Sequence, residues 1–231
     1  MTISVVIPAY NEENFLPATL KSIQNLSRKP DEVIIIDGGS TDKTAKIGKS
    51  YNAKVFTVEH RGIGYARQKG LENATCDIVT YTDADTVVPK DWLTKIEKSL
   101  SMPGVSAVYS GYNVTDAWLV YWFYINYICP FIFYFSHILG IPVGGGQNIA
   151  FWRKKGIESG GFPTDFKSVE DFEMLKRLKT VGKVIYRTDN FVTSSGRRGN
   201  EGFSMIVRVI KGFIIYFITG KADKFDFPDI R

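Results

Sequence analysis

Two carboxylates one residue apart, Asp83 and Asp85, close the run Asp77-Ile78-Val79-Thr80-Tyr81-Thr82-Asp83-Ala84-Asp85. An apolar strand ends in acids there, and residues two apart on a strand can point the same way. Hard oxygen ligands in that setting suit Mg²⁺ or Mn²⁺, held alongside substrate phosphates. Asp-x-Asp by itself is common in turns and caps. Its company matters more: Glu12 and Asp37 also fall just beyond predicted strand ends. Four acids gathered at strand ends are hard to explain as core packing.

The elements that must position them are legible in the first half. Ile3 to Pro8 reads as a buried strand stopped by proline. Asn11-Glu12-Glu13-Asn14 has helix-start chemistry, and Leu16, Leu20 and Ile23 recur at helical spacing. Glu32 to Asp37 is a second strand, and a Gly38-Gly39 turn caps a helix from about Thr41 to Tyr51. Lys54 to Val58 is a third strand, Gly62 to Asn73 a loop and helix, and Asp77 to Thr82 a fourth strand. Alternating strands and helices predict an α/β fold, a mostly parallel sheet with helices on both faces. In such sheets ligands gather at the carboxyl ends of the strands.

The length, 231 residues, suits one α/β domain with a real core. A net charge of +5 fits anionic partners such as nucleotides, lipid phosphates or an acidic membrane surface. It is too modest for nucleic acid, and no basic helix with interleaved aromatics is present. Cys76 and Cys129 have neither zinc spacing nor a disulfide framework, which fits a reducing compartment. The N-terminus is read as lacking a signal peptide.

The second half changes character. From Ala117 to Trp152 the only ionisable cation is His137, and Ala117 to Phe135 is dense in Trp, Tyr, Phe and Ile. Nineteen residues just suffice to span a bilayer, although Asn126 and Pro130 interrupt them. An interfacial helix or a buried core helix are the other readings. Phe203 to Thr219 is a second apolar helix, with Arg208 and Lys211 on one face and Ile206, Ile210, Phe213 and Phe217 on another. Asp223 to Arg231 reads as an exposed tail.

With these residues in place the chain resembles a family 2 glycosyltransferase of the GT-A fold, from about Ile3 to Arg198. The resemblance rests on Ser4-Val5-Val6-Ile7-Pro8-Ala9-Tyr10-Asn11-Glu12-Glu13, Asp37-Gly38-Gly39-Ser40-Thr41-Asp42, Gly64-Tyr65-Ala66-Arg67-Gln68-Lys69-Gly70, Asp83-Ala84-Asp85 and Glu170-Asp171. Five elements in this order make a specific signal. It implies a GT-A, Rossmann-like domain over 1–200, with a nucleotide-binding half 1–100 and an acceptor half 101–200 that includes the apolar segment 117–142. Residues 201–231 form an amphipathic C-terminal helix and tail.

The resemblance also implies roles. Pro8, Ala9, Tyr10 and Glu12 hold the nucleoside, and Asp37 accepts from a base N–H. Its rival reading is an Asp that only orders the following turn. Arg67 can neutralise phosphate, or is a surface arginine. Asp83 with Ala84 faces the ribose or metal shell, and Asp85 coordinates the Mg²⁺ or Mn²⁺ that bridges the diphosphate. Gly145, Gly146, Gln147 and Asn148 form a loop beside donor sugar and acceptor, or a hinge. Asp171 takes the acceptor's proton in an inverting transfer, with Glu170 the second choice. Capping by Ser168 with first-turn acids is the plain alternative. Arg197 and Arg198, on a glycine-flanked loop, suit a diphosphate or an anionic acceptor.

The expected activity is transfer of a hexose-type sugar from a UDP- or GDP-linked donor. The expected acceptor is lipid-linked, of polyprenyl phosphate type, at the cytoplasmic membrane face. A soluble glycan or protein acceptor is the rival, with Trp118, Trp122 and Tyr124 stacking sugars or packing in the core. An inactive nucleotide-binding scaffold is a third reading. Nucleotidyl transfer would want a glycine- and lysine-rich loop where Pro8-Ala9-Tyr10-Asn11 stands.

Overall fold

A computed structural model of the chain describes residues 1–166, 168–197, 199 and 203–220. Arg198, the Arg208 side chain and the tail beyond 220 lie outside the described residues. The four expected strands form: β1 (Ile3–Ala9), β2 (Glu32–Asp37), β3 (Lys54–Thr57) and β4 (Ile78–Tyr81). They lie parallel in the order β3-β2-β1-β4. Four more strands complete one sheet: β5 (Thr86–Val87), β6 (Val105–Val114), β7 (Ile149–Trp152) and β8 (Lys183–Ser194). The full order is β3-β2-β1-β4-β7-β6-β8-β5, with β7 antiparallel to both β4 and β6. The two halves expected from sequence therefore share one sheet.

Successive residues of a strand face opposite sides, and the core divides accordingly. Val6, Ile34 and Ile36 face a cluster that includes Leu71 of α3 (Ile63–Asn73) and Leu175 and Leu178 of α8 (Glu170–Thr180). Val5, Ile7 and Ile35 face the other cluster, built with α1 (Leu16–Gln24) and α4 (Trp92–Leu100). The fold is thus α/β with helices on both faces, as the alternation predicts.

The helix after β2, α2 (Thr44–Ser50), begins three residues later than expected. Ser40, Asp42 and Thr44 accept from the amides of Asn11, Glu13 and Glu12 at 2.8, 3.0 and 2.7 Å, and the Thr41 amide donates 2.9 Å to Asn11 Oδ1. These groups stitch the loops after β1 and β2 together instead of turning a helix.

The aromatic run forms α5 (Leu119–Phe123), a π-helical turn over Tyr124–Ile128, and α6 (Cys129–Ile138). Together they make 20 helical residues, long and apolar enough to cross a membrane by length and composition. Asn126 does not break the helix. Its side chain exchanges two hydrogen bonds with the Val114 backbone, 2.9 and 3.0 Å, in the π turn. Pro130, which has no N–H to donate, falls in the first turn of α6 directly after the π turn. Only one stripe, Tyr121, Ile125, Cys129 and Phe133, is buried, so the fully buried reading is corrected to a one-sided contact. Short α7 (Arg153–Glu158) follows β7. The last helix, α9 (Phe203–Thr219), docks on α8, where Phe172 meets Phe213 and Tyr216 at ring separations of 5.7 and 5.3 Å.

Candidate functional site

The carboxyl ends of β1, β2 and β4 bring Glu12, Asp37, Asp83 and Asp85 to one edge of the sheet. Pro8 and Ala9 end β1, and the Ala9 carbonyl accepts from the Gly38 amide at 2.8 Å. Asp37 is buried, and its Oδ1 accepts from the Ser40 amide and hydroxyl at 3.2 and 2.5 Å. The turn-ordering role is therefore real for this aspartate. Tyr10 lies 4.1 Å, ring to ring, from His60. Sequence reasoning gave His60 no role. It lies in the loop between β3 and α3, and only the fold brings it beside Tyr10 and Gly38.

Each acid of the Asp83–Asp85 pair meets a different arginine. Arg67 Nη2 donates to Asp83 Oδ1 at 3.0 Å, and Arg197 Nη2 lies 3.1 Å from Asp85 Oδ2. Arg197 Nη2 also donates to Glu12 Oε1 at 2.5 Å. Its guanidinium carbon stands 4.6 Å above the Phe15 ring. Ala84, between the acids, is buried, and its carbonyl accepts from Thr19 Oγ1 of α1 at 2.8 Å.

The surface reading of Arg67 is corrected: it is 3% exposed and paired with acids on two sides. Besides Asp83 it donates to Glu170 through Nη1. A buried guanidinium survives only when paired in this way. Its helix, α3, supplies one end of a bridge from the sheet edge to α8.

Glu170 and Asp171 open α8 behind Val169, whose φ of 54° is left-handed. That conformation strains a β-branched residue. Ser168 does not cap the helix, so the capping alternative fails: its buried hydroxyl has no partner among the described residues. Asp171 Oδ2 accepts from the Gly146 amide at 2.8 Å, and Oδ1 from the Phe172 amide at 2.7 Å. Burial raises the pKa of Asp171, and the facing Arg67 charge partly offsets this. Burial pushes Glu170 up to about 7, with Arg67 opposing and Asp171 reinforcing the shift.

The glycine loop divides. Gly145 and Gly146 lead a single 3-10 turn, Gly146–Asn148. A Cβ on Gly146 would fall on the Arg67 guanidinium, so glycine here permits close approach. Gln147 is buried against Gly145. Asn148 is buried, and its side-chain amide brackets three elements of the core. Its Nδ2 donates to the Gly111 and Asn190 carbonyls at 3.0 and 2.8 Å, and its Oδ1 accepts from Trp92 Nε1 at 2.9 Å.

Whether the site suits a divalent ion can be judged from its own groups. Among the described residues no three metal-ligating side chains converge. Asp83 and Asp85 offer hard oxygens from two carboxylates, the set Mg²⁺ takes when phosphates and water complete its shell. Buried Glu12 Oε2 has no partner among the described residues, so one further carboxylate oxygen remains beside the pair. The residues fit such an ion.

The chain has relatives among known proteins. The sequence profile described as Glycosyl transferase family 2 matches residues 4–169. A solved mannosyltransferase from Pyrobaculum calidifontis, in complex with GDP-Man and Mn²⁺, superposes with a TM-score of 0.71 at 26% identity, covering 95% of this chain and 65% of that one. A Methanococcus voltae dolichyl N-acetyl-alpha-D-glucosaminyl phosphate 3-beta-D-2,3-diacetamido-2,3-dideoxy-beta-D-glucuronosyltransferase is 26% identical over 253 residues, 93% of this chain and 71% of that protein. Glycosyltransferase GlyA of Streptococcus pneumoniae is 30% identical over 129 residues, 53% of this chain but 18% of that larger protein.

Proposed function

The chain belongs to glycosyl transferase family 2, and from that premise we propose that it moves a hexose-type sugar, with inversion, from a UDP- or GDP-linked donor to a lipid-linked acceptor of polyprenyl phosphate type at the cytoplasmic membrane face. One observation carries the chemistry. The Arg67 guanidinium joins Asp83, on the donor side, to Glu170, beside Asp171. Donor acids and proton-accepting acids thus flank one buried cation.

Pro8, Ala9, Tyr10, Glu12 and Asp37 line the nucleoside side, with the His60 ring tilted against Tyr10. Asp85, with Asp83, would hold Mg²⁺ or Mn²⁺, which supplies charge neutralisation for the departing nucleoside diphosphate. Asp171 is the better proton acceptor of its pair. The Gly146 amide aims its Oδ2, whereas Glu170 is bound to Arg67. Its raised pKa strengthens it as a base. Toward an acceptor phosphate, already ionised, Asp171 would orient the nucleophile rather than deprotonate it.

The lipid reading draws on the surface of the aromatic helix. Leu119, Phe123, Tyr127, Phe131 and Phe135 form an exposed stripe without charge. An apolar groove of about 460 Å³ lies along Ile128, Phe131, Phe135 and Leu139. Between this helix and α9 run Lys176, which donates to Tyr216 of α9 at 2.9 Å, and Lys179, which donates to the Gly140 carbonyl at 2.6 Å. Apolar faces bordered by lysines suit a helix lying in an anionic interface. The Methanococcus relative, by its name, acts on a dolichyl N-acetyl-alpha-D-glucosaminyl phosphate, a lipid-linked sugar. A soluble-glycan site would mix polar groups among its aromatics, and in this stripe the Tyr127 hydroxyl stands among four apolar side chains.

Thermal unfolding with UDP, GDP and other nucleoside diphosphates, with and without Mn²⁺, followed by assay of sugar transfer to a polyprenyl phosphate, tests the proposal. Stabilisation by one nucleotide that requires the ion, with labelled sugar entering the lipid phase, is expected. Nucleotide binding without any transfer or donor hydrolysis would support the inactive scaffold. Transfer only to water-soluble acceptors would overturn the lipid assignment.

A further inference from the structure

Arg197 occupies the place where a donor-site cation is needed. Its Nη2 reaches Asp85 and Glu12 together, at 3.1 and 2.5 Å. The Asp85 carbonyl also accepts from the Ser195 amide at 3.1 Å, which ties the loop after β8 to the acidic turn. The three side chains are well sheltered, 18% exposed for Arg197, 6% for Glu12 and 15% for Asp85.

The two site arginines differ in their freedom to leave. Arg67 is locked in the interior between Asp83 and Glu170, with Gly146 against its guanidinium. Arg197 sits on a short loop with one face on the Phe15 ring. An ion arriving at Asp85 meets a like charge already seated there, and like charges at such range repel strongly in a sheltered site. A diphosphate offers the displaced guanidinium a stronger, bidentate partner.

We propose that Arg197 is the resident cation of the ligand-free donor site and exchanges with the divalent ion, leaving Asp85 and Glu12 as the ion enters and moving onto the donor's diphosphate. This rests on the assignment of Asp85 as the ion's ligand. The exchange makes ion and nucleotide bind cooperatively: each removes an obstacle to the other, and linkage makes the coupling reciprocal. Arg197 thereby suppresses metal loading until a donor is at hand.

The test is Mn²⁺ binding in the absence of nucleotide, read from the free-ion electron paramagnetic resonance signal, for the wild type, Arg197→Gln and Asp85→Asn. The expected result is about tenfold tighter Mn²⁺ binding in Arg197→Gln and loss of binding in Asp85→Asn. With nucleoside diphosphate present, the mutual enhancement of ion and nucleotide seen in the wild type shrinks in Arg197→Gln. Equal or weaker Mn²⁺ binding by Arg197→Gln, with Asp85→Asn still inactive in binding, overturns the exchange and leaves the metal assignment standing. Undiminished binding by Asp85→Asn removes the metal assignment itself, and the exchange with it. Hydrogen exchange on the wild type guards against a variant that fails to fold. Mn²⁺ alone should speed exchange of the Ser195 amide as the loop releases Asp85, and unchanged exchange overturns the proposal.

Discussion

The Gly146 amide donates to Asp171 while the α-carbon of the same glycine lies against Arg67. One residue without a side chain thus lets the acid of α8 and the cation of α3 approach from opposite sides. Gly146→Ala should push the guanidinium off its carboxylates and destabilise by about 1–3 kcal/mol, the usual cost of overpacking. The melting temperature should fall by roughly 2–12 °C for a chain of this size. Calorimetry and turnover together check it: unchanged stability and activity would mean that the close approach is not required.

Asp171→Asn keeps the size and one of the two backbone bonds while removing the charge. Turnover on a hydroxyl acceptor should fall about 10²- to 10⁴-fold, the range for a lost general base. The nucleotide dissociation constant, by calorimetric titration, should move less than threefold. A fall confined to nucleotide binding would shift the role to the donor side. A small turnover loss would fit the orienting role expected with a phosphate acceptor.

The Glu170–Asp171 pair titrates upward. For Glu170 the folded pKa, about 7, exceeds the ordinary 4.5. The folded chain therefore holds the extra proton between those values, and this contribution to stability is lost as pH rises through about 7. Turnover that needs the ionised pair should run the opposite way, rising with pH through the same region. A pH profile of turnover flat from pH 5.5 to 8 would show that the pair does not act in the rate-determining step.

Phe131 and Phe135 are exposed by 66% and 57%. Replacing both by Glu should change stability by no more than about 0.5 kcal/mol per site. It should abolish flotation with anionic vesicles, and soluble nucleotide binding should persist. Equal flotation of wild type and variant would count against docking by this helix.

Much of this arrangement is legible in the sequence, and the exceptions share a cause. β1, β2 and β4 are largely buried on both faces, so each shows as a mostly apolar run ending in a turn. β6 and β8 do not. Ser106 and Ser110 are buried in β6 because their hydroxyls reach the carbonyls of Leu178 and Arg187 at 2.9 and 2.6 Å, and those partners are remote in sequence. Arg67 hides for the same reason. Its local sequence, Gly-Tyr-Ala-Arg-Gln-Lys, reads as a surface helix, while its two acids arrive from 16 and 103 residues away. Asn148 likewise finds Trp92, Gly111 and Asn190 only through the tertiary fold. Residue types and spacing reveal which acids gather, and distant partners decide which polar groups are consumed inside.

The seat of β7 between β4 and β6 bears on how the chain can be divided. Ile78–Tyr81 has β1 on one side, and β7, which arrives some seventy residues later, on the other. A fragment ending near residue 100 would carry every donor-side acid, yet leave that strand an apolar open edge. Such edges recruit other copies. The nucleotide-binding half made alone should therefore precipitate rather than bind nucleotide, and a nascent chain must shield that edge until Ile149–Trp152 has been synthesised.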